Sequence, residues 1–360
     1  MASTVRIAVL FGGRSTEHDV SCRSAAGVLQ HLDRTKYEVV PVRITADGVW
    51  VVGTDRRDGV IDVAALLAMT PPPEAPLSPV DSIFTAVAAL RDVEVVLPVL
   101  HGPYGEDGTV QGLLELAGIP YVGCGVLASA TSMDKEFTKK ILAAEGIAVA
   151  DGVVLHSEQE TVSAAERERL GLPVFVKPAR GGSSIGVSRV DDWAELEAAL
   201  AVARTSDSKV LVEAAVPGRE VDIAVLQHPD GTVATGPALE IKIGSGERFF
   251  DYDAKYSDGG TTFVIPADLP PATAGLLADI AVRTFRALGC AGLLRGDFFL
   301  PEGAEGLMPT VNEVNTMPGL TAMSQFPQIW QVAGLEYPEL LDTLISTALA
   351  GSARRSVAPA

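Results

Sequence analysis

The sequence predicts an α/β protein that opens with a doubly wound, parallel-sheet domain and continues into further strands and helices that carry charged residues at strand ends. Three stretches carry that expectation. "VRIAVLFGG" (5–13) is a β-branched run ending in paired glycines, and helix-compatible spacing of Val20, Ala25, Val28, Leu29 and Leu32 follows it, the pattern of a β-loop-α unit. "VKPARGGSSIG" (176–186) sets Lys177 in an apolar strand beside a glycine- and serine-rich tip. "TVNEVN" (310–315) places Glu313 and Asn315 two apart, so that on a strand an acid and an amide share a face just before Pro318-Gly319.

The rest of the chain fits the same class. "YEVVPVRI" (37–44) and "VEVVLPVL" (93–100) read as further buried strands, with the proline-rich 70–79 as an exposed loop between them. A helix over 109–118 closes at Gly118, "YVGCG" (121–125) reads as a short strand, and one long helix runs from 126 to Gly146. Strands at 172–178 and 186–190 make a hairpin around the Gly/Ser tip. A helix (191–203), strands at 209–216 and 220–227, a helix near 271–288 and the strand "GLLRGDFFL" lead to 310–315. The final ten residues lack apolar periodicity and are expected to fray.

Composition narrows the function. The chain has 360 residues, 47% of them hydrophobic, enough for a large core and two or three domains. Its 46 acids against 28 bases give a net charge of −18, which disfavours nucleic acid and anionic membranes as partners. Cys22, Cys124 and Cys290 lack metal or disulfide spacing, no apolar run reaches the roughly 18 residues of a membrane span, and a cytoplasmic protein is expected.

Several stretches could hold chemistry. An unpaired ammonium is costly in an apolar strand, so Lys177 calls for an anionic partner such as a phosphate, and backbone N–H and hydroxyl groups of 179–186 could close over it. A plain hairpin turn would also explain those glycines. Arg295 and Asp297, two apart in "RGD", could join Glu313 and Asn315 across neighbouring strands, the oxygen set that magnesium uses when phosphates complete its shell. "HGPYGEDGTVQG" (101–112) follows a strand end, where open α/β sheets bind ligands; His101 could equally be a core histidine, and Glu106 and Asp107 helix caps. Glu17 stands near a helix start, where the dipole alone would favour an acid. The polar loop 247–260, with Tyr252, Lys255 and Tyr256, has the length of a lid. "GGRSTE" does not fit GxGxxG, which argues against a dinucleotide oxidoreductase.

Taken together, "GGRSTEHDVS", "HGPYGEDGTVQG", "TSMDK", "VKPARGGSSIG", "GRE", "YDAKY", "RGDFF" and "NEVNTMPGLTAMS" stand in the order found in the D-alanine:D-alanine ligase family, and the chain resembles that family over essentially its full length. The resemblance implies an ATP-grasp fold with an N-terminal α/β domain (1–123), a central subdomain bearing the phosphate lid (124–212) and a C-terminal subdomain with the metal site (213–360). It implies phosphorylation of one D-alanine carboxylate by ATP and attack of a second D-alanine's amine, for peptidoglycan precursors.

Residue by residue, the resemblance puts Asp297, Glu313 and Asn315 on two magnesium ions, with manganese as a substitute. Lys135, Lys177, Lys255, Ser183 and Ser184 fall on the ATP phosphates, Glu213 and Glu220 on adenine and ribose, and Ala215 and Val216 on the adenine through backbone. Glu17 and His101 fall at the first D-alanine, Arg295 and the Gly319 N–H at the oxyanion, and Ser324 at the second carboxylate. Ser183, Tyr256 and Glu17 form the group that closes the loop. Tyr256 goes with an amine acceptor, where phenylalanine goes with D-lactate. Ala214 departs from relatives that carry lysine or glutamate there, which bears on nucleotide affinity. A homodimer is also implied.

Overall fold

The structure, a computed structural model, describes residues 4–54, 63–70, 78–157, 159–243, 261–301 and 308–357. The expected lid 247–260 with Tyr252, Lys255 and Tyr256, and most of the proline-rich segment, lie outside the described residues.

The first sheet grows from β1 (Val5–Gly12), whose Ile7 to Phe11 are wholly buried, as a central parallel strand covered on both faces must be. Helix α1 (His18–His31) follows; β2 (Tyr37–Ile44) returns parallel to β1 and β3 (Trp50–Val52) folds back on it. Two helices, α2 (Val63–Leu67) and α3 (Pro79–Ala89), precede β4 (Val95–Val99) on the other side of β1, giving the order β3-β2-β1-β4. Gly12 and Gly13 adopt φ of 90° and 99°, and a Cβ on Gly12 would lie 2.2 Å from the Ile44 carbonyl, so the turn that launches α1 requires glycine. The expected strand at 121–125 reduces to one parallel bridge between Tyr121 and Val96.

After α4 (Thr109–Leu116), the long helix expected over 126–146 is two helices, α5 (Val126–Met133) and α6 (Lys135–Ala144). Asp134 separates them in extended conformation, its carboxylate accepting the Glu136 and Phe137 N–H groups and restarting the helix. A second sheet holds β5 (Gly152–Leu155), then, beyond α7 (Ala164–Leu170), the hairpin of β6 (Val174–Pro178) and β7 (Ser188–Val190). The helix expected at 191–203 begins with a tight turn, Trp193–Glu195, and becomes α8 (Leu196–Arg204), leading to β8 (Val210–Ala214) and the order β5-β8-β6-β7.

The third sheet is built on β9 (Arg219–Gln227), with β10 (Val233–Thr235), β11 (Leu239–Ile243) and β12 (Thr261–Val264) on one side. Helix α9 (Pro271–Ala287) covers it, and β13 (Leu293–Leu300) and β14 (Thr310–Asn315) complete it. Helix α10 (Gln325–Val332) precedes α11 (Tyr337–Val357), which continues through much of the tail expected to fray. Its earlier turns are anchored by buried Leu340, Leu341, Leu344 and Ile345, and helix propagation from a packed segment is easier than nucleation. One apolar cluster joins β1 and β4 of the first sheet to Ala224, Leu226 and Leu293 of the third, so the first and third sheets share a core.

Candidate active site

A cavity of about 1470 Å³ opens where the three sheets meet. Its floor is set by strand register. Asp222 of β9 stands opposite Asp297 of β13, and Asp297 opposite Glu313 of β14, which lines three acids across three adjacent strands. Arg295 holds this row together: its Nε and Nη2 each donate to Asp297 at 2.7 Å, and Nε lies 3.5 Å from Asp222. Burial works against the guanidinium charge, yet Asp297, Asp222 and Glu313 hold its pKa above the ordinary value. Asn315 Nδ2 donates to Asp297 at 3.0 Å. Register slips between Asp297 and Phe298, leaving Asn312 as the extra residue of a β-bulge. Asn312 therefore reaches the cavity beside Glu313, and its Oδ1 accepts from Lys177 at 3.4 Å.

The lysines come from two elements. Lys135, at the first position of α6, lies 3.6 Å from Glu313 and donates to the Gly181 carbonyl at 2.7 Å. Its position is fixed by the Asp134 cap, which Lys209 grips at 2.5 Å. Lys177 on β6 meets Glu213 of β8 at 2.7 Å, and Glu213 is met from the other side by Lys139 at 3.0 Å. Burial would raise the Glu213 pKa, but Lys177 and Lys139 outweigh it and hold the carboxyl below its usual range. Burial pushes Lys139 down to about 8 despite Glu213. Ala215 and Val216 follow Glu213 where the chain leaves the sheet, the Ala215 N–H donating to the Pro173 carbonyl at 3.0 Å, and both line the cavity with Glu220.

The opposite wall is Glu17 and the loop after β4. Ser183 Oγ donates to Glu17 Oε1 at 2.5 Å, which closes the Gly/Ser tip onto the first domain. Ser183 and Ser184 hold φ of 51° and 57°, a left-handed pair that non-glycine residues seldom adopt. Glu17 is clamped between glycines: a Cβ on Gly182 would come within 2.6 Å of its Oε2 and one on Gly102 within 2.9 Å. His101 is buried, with Nδ1 2.9 Å from the Met317 carbonyl and Nε2 3.2 Å from Ser24 Oγ; burial lowers its pKa. A neutral ring therefore donates from Nδ1 to Met317 and accepts at Nε2 from Ser24. Ser324 Oγ accepts from the Thr321 N–H at 3.1 Å and would lie 2.9 Å from a Cβ on Gly319, so the two face each other across a tight turn.

The expected residues that are described all line this cavity. Three others were given no site role by sequence. Lys139 lies four residues after Lys135, the spacing that shares a helix face. Asp222 lies two after Glu220 on one strand face, a visible signal. Glu106 was weighed as a helix cap together with Asp107; Asp107 does that work, accepting the Thr109 N–H at 3.0 Å, while Glu106 turns inward. Among the described residues no three acid, histidine or cysteine side chains converge on one metal position. The donors across β13 and β14 are hard oxygens all the same, and two carboxylates with an amide suit a cation whose shell phosphates complete.

The chain matches the "D-ala D-ala ligase N-terminus" family over residues 6–124 and the "D-ala D-ala ligase C-terminus" family over 141–346. It is 50% identical to a D-alanine–D-alanine ligase of Nocardia farcinica, the match covering 97% of this chain and 98% of that one. A D-alanine–D-alanine ligase of Mycolicibacterium vanbaalenii is also 50% identical, with the same coverage. Among solved structures, the VanG D-Ala:D-Ser ligase from Enterococcus faecalis superposes with a TM-score of 0.80 at 35% identity, covering 96% of this chain and all of that one. The D-alanine–D-alanine ligase from Coxiella burnetii gives a TM-score of 0.80 at 30% identity, with 99% and 97% coverage. The ATP complex of the Bacillus anthracis enzyme gives 0.76 at 31% identity, with 98% and 100% coverage. The architecture is the ATP-grasp fold, and with family matches in both halves and half its residues shared along nearly its whole length, the chain belongs to the D-alanine–D-alanine ligase family.

Proposed function

We propose that the protein joins two D-alanines into D-alanyl-D-alanine at the expense of ATP, for peptidoglycan precursor synthesis. A carboxylate oxygen of the first D-alanine attacks the γ-phosphorus, ADP leaves, and the acyl phosphate is attacked by the second amine as phosphate departs. Lys135 and Lys177 hold the phosphates, Glu213 and Glu220 the adenine and ribose, and Ala215 and Val216 the adenine edge. The 181–186 tip is the phosphate lid, and the central subdomain that carries it spans 124–212 between the flanking 1–123 and 213–360. Asp297, Glu313 and Asn315 would hold the two magnesium ions, whose chemistry would be to neutralise charge on the transferring phosphoryl group. Glu17 takes the first ammonium near His101, Arg295 and the Gly319 N–H stabilise the oxyanion, and Ser324 binds the acceptor carboxylate. Lys255 and Tyr256 complete the phosphate site and the closing group. The enzyme works in the cytoplasm as a homodimer; no described helix is long and apolar enough to cross a membrane.

The observation that supports this most is the Ser183–Glu17 contact, because it lays a phosphate lid over an acid suited to an ammonium and opposite the Arg295 and Gly319 donors. A product assay tests it. With ATP and magnesium, D-alanine gives ADP and a dipeptide identified by mass, while L-alanine gives none and Glu313→Ala abolishes turnover. D-serine and D-lactate as acceptors decide specificity. ATP consumption without a D-alanine dipeptide, or preference for either other acceptor, overturns the assignment.

A further inference from the structure

The turn that carries Gly319 is held by the loop after β4, by α1 and by α11, at backbone groups on either side of Pro318-Gly319. Glu106 Oε1 accepts the Met317 N–H at 2.8 Å, and His101 Nδ1 is 2.9 Å from the Met317 carbonyl, so one loop after β4 grips both polar groups of a residue more than two hundred positions away. Ser24 Oγ of α1 accepts the Leu320 N–H at 3.3 Å, and the Tyr337 hydroxyl of α11 donates to the Leu320 carbonyl. The backbone groups on both sides of Pro318-Gly319 are thereby tied, while the Gly319 N–H makes no hydrogen bond among the described residues. The other oxygen of Glu106, Oε2, accepts the Gly102 N–H at 2.8 Å. Gly102 in turn packs against Glu17 on its far side.

Resting on the ligase reading above, we infer that Glu106 is a positioning residue for acyl transfer: its carboxylate, by holding the Met317 amide to the loop of His101, aims the Gly319 N–H at the reacting carbonyl. The chemistry calls for the ionised form. Two N–H groups donate to its two oxygens, and a carboxylate accepts both, whereas an amide would present an NH2 to one of them. Burial, with Glu17 nearby, pushes Glu106 up to about 8, while the two N–H groups and Arg295 pull it down. The charged groups around it are Glu17 from the start of α1 and Arg295 from β13, and the neutral ring of His101 stands in its own loop. A substrate ammonium beside Glu17 offsets the Glu17 part of that upward push, so binding of the first amino acid shifts Glu106 toward its ionised form and the set turn.

Glu106→Gln tests this, with Glu106→Asp as the conservative variant. A displaced oxyanion donor predicts a fall in kcat of about 10–100-fold for the amide. The ATP KM stays within about twofold and the melting temperature near that of the wild type. Wild-type kcat/KM for D-alanine should fall as pH drops through about 8, at a higher pH than the matching fall in kcat. The amide variant should lack that displacement, and the aspartate should recover part of the rate. The inference is overturned if the amide keeps wild-type kcat, if ATP KM and melting temperature change in step with kcat, or if both pH limbs coincide in the wild type. If the wild type makes no dipeptide at all, it is the ligase reading that has failed.

Discussion

Replacing Lys139 by methionine separates two roles that the structure gives to Glu213. In the wild type this acid lies between Lys177 at 2.7 Å and Lys139 at 3.0 Å, and all three side chains are almost wholly buried. The fall of Lys139 from 10.5 to about 8 corresponds to a net penalty on its charged form of roughly 3 kcal/mol, burial and neighbouring lysines outweighing Glu213. Methionine fills a similar volume without that cost, and Glu213 keeps Lys177, so resting stability should change little, within about 2–4 °C in melting temperature. When Lys177 turns to the phosphates of ATP, however, Lys139 is the cation that remains for Glu213. Without it a buried carboxylate faces the nucleotide with no counter-cation, at about 1–3 kcal/mol, and ATP should bind about 5–150-fold more weakly. Titration calorimetry with a non-hydrolysable ATP analogue measures this directly, with KM for ATP as the kinetic check and D-alanine KM as the control.

The same variant carries a pH signature with a defined sign. From about 8 to 10.5 the unfolded chain keeps a proton on Lys139 that the folded protein has released, so stability gains from this group as pH rises through that window. Lys139→Met should lose that gain in denaturant melts. Unchanged ATP affinity in Lys139→Met would refute the reasoning, because it would mean that Glu213 tolerates the loss of both cations.

Two further substitutions probe the walls of the cavity. Gly182→Ala would set a Cβ 2.6 Å from Glu17 Oε2 and separate Ser183 from Glu17. Loss of this charge-assisted hydrogen bond, at about 1.5–3 kcal/mol, should raise the D-alanine KM about 10–100-fold in initial-rate assays. Gly181→Ala, which meets the Pro178 ring at 3.1 Å, should do so far less. Asp134→Ala removes the cap that starts α6 and one partner of Lys209. It should cost about 1–2 kcal/mol in urea midpoint and raise the ATP KM by displacing Lys135; an unchanged midpoint would show that Lys209 and Glu136 suffice to hold the helix start.

Local chemistry in the chain determined much of this protein. The β-branched run of β1, the paired glycines after it, the glycine stops of α4 and α6 and the two-residue spacing of Glu313 and Asn315 express preferences that reach only a few residues, so they are legible in order along the sequence. So was the residue content of the site, because eight separated motifs agree with one family. What tertiary structure decided is every contact made across the fold: Ser183 on Glu17, 166 residues apart, Glu106 on the Met317 amide, 211 apart, and Lys139 as a second cation for Glu213. The break at Asp134 and the bulge that turns Asn312 inward belong here too. At Asp134 a side-chain cap partnered by a distant Lys209 overrides continuous helical spacing, and at Asn312 the pairing of β13 against β14 inserts a residue that strict alternation would point away. Which groups meet is set by how sheets and helices bury their faces together, and no pattern read along one segment contains that information.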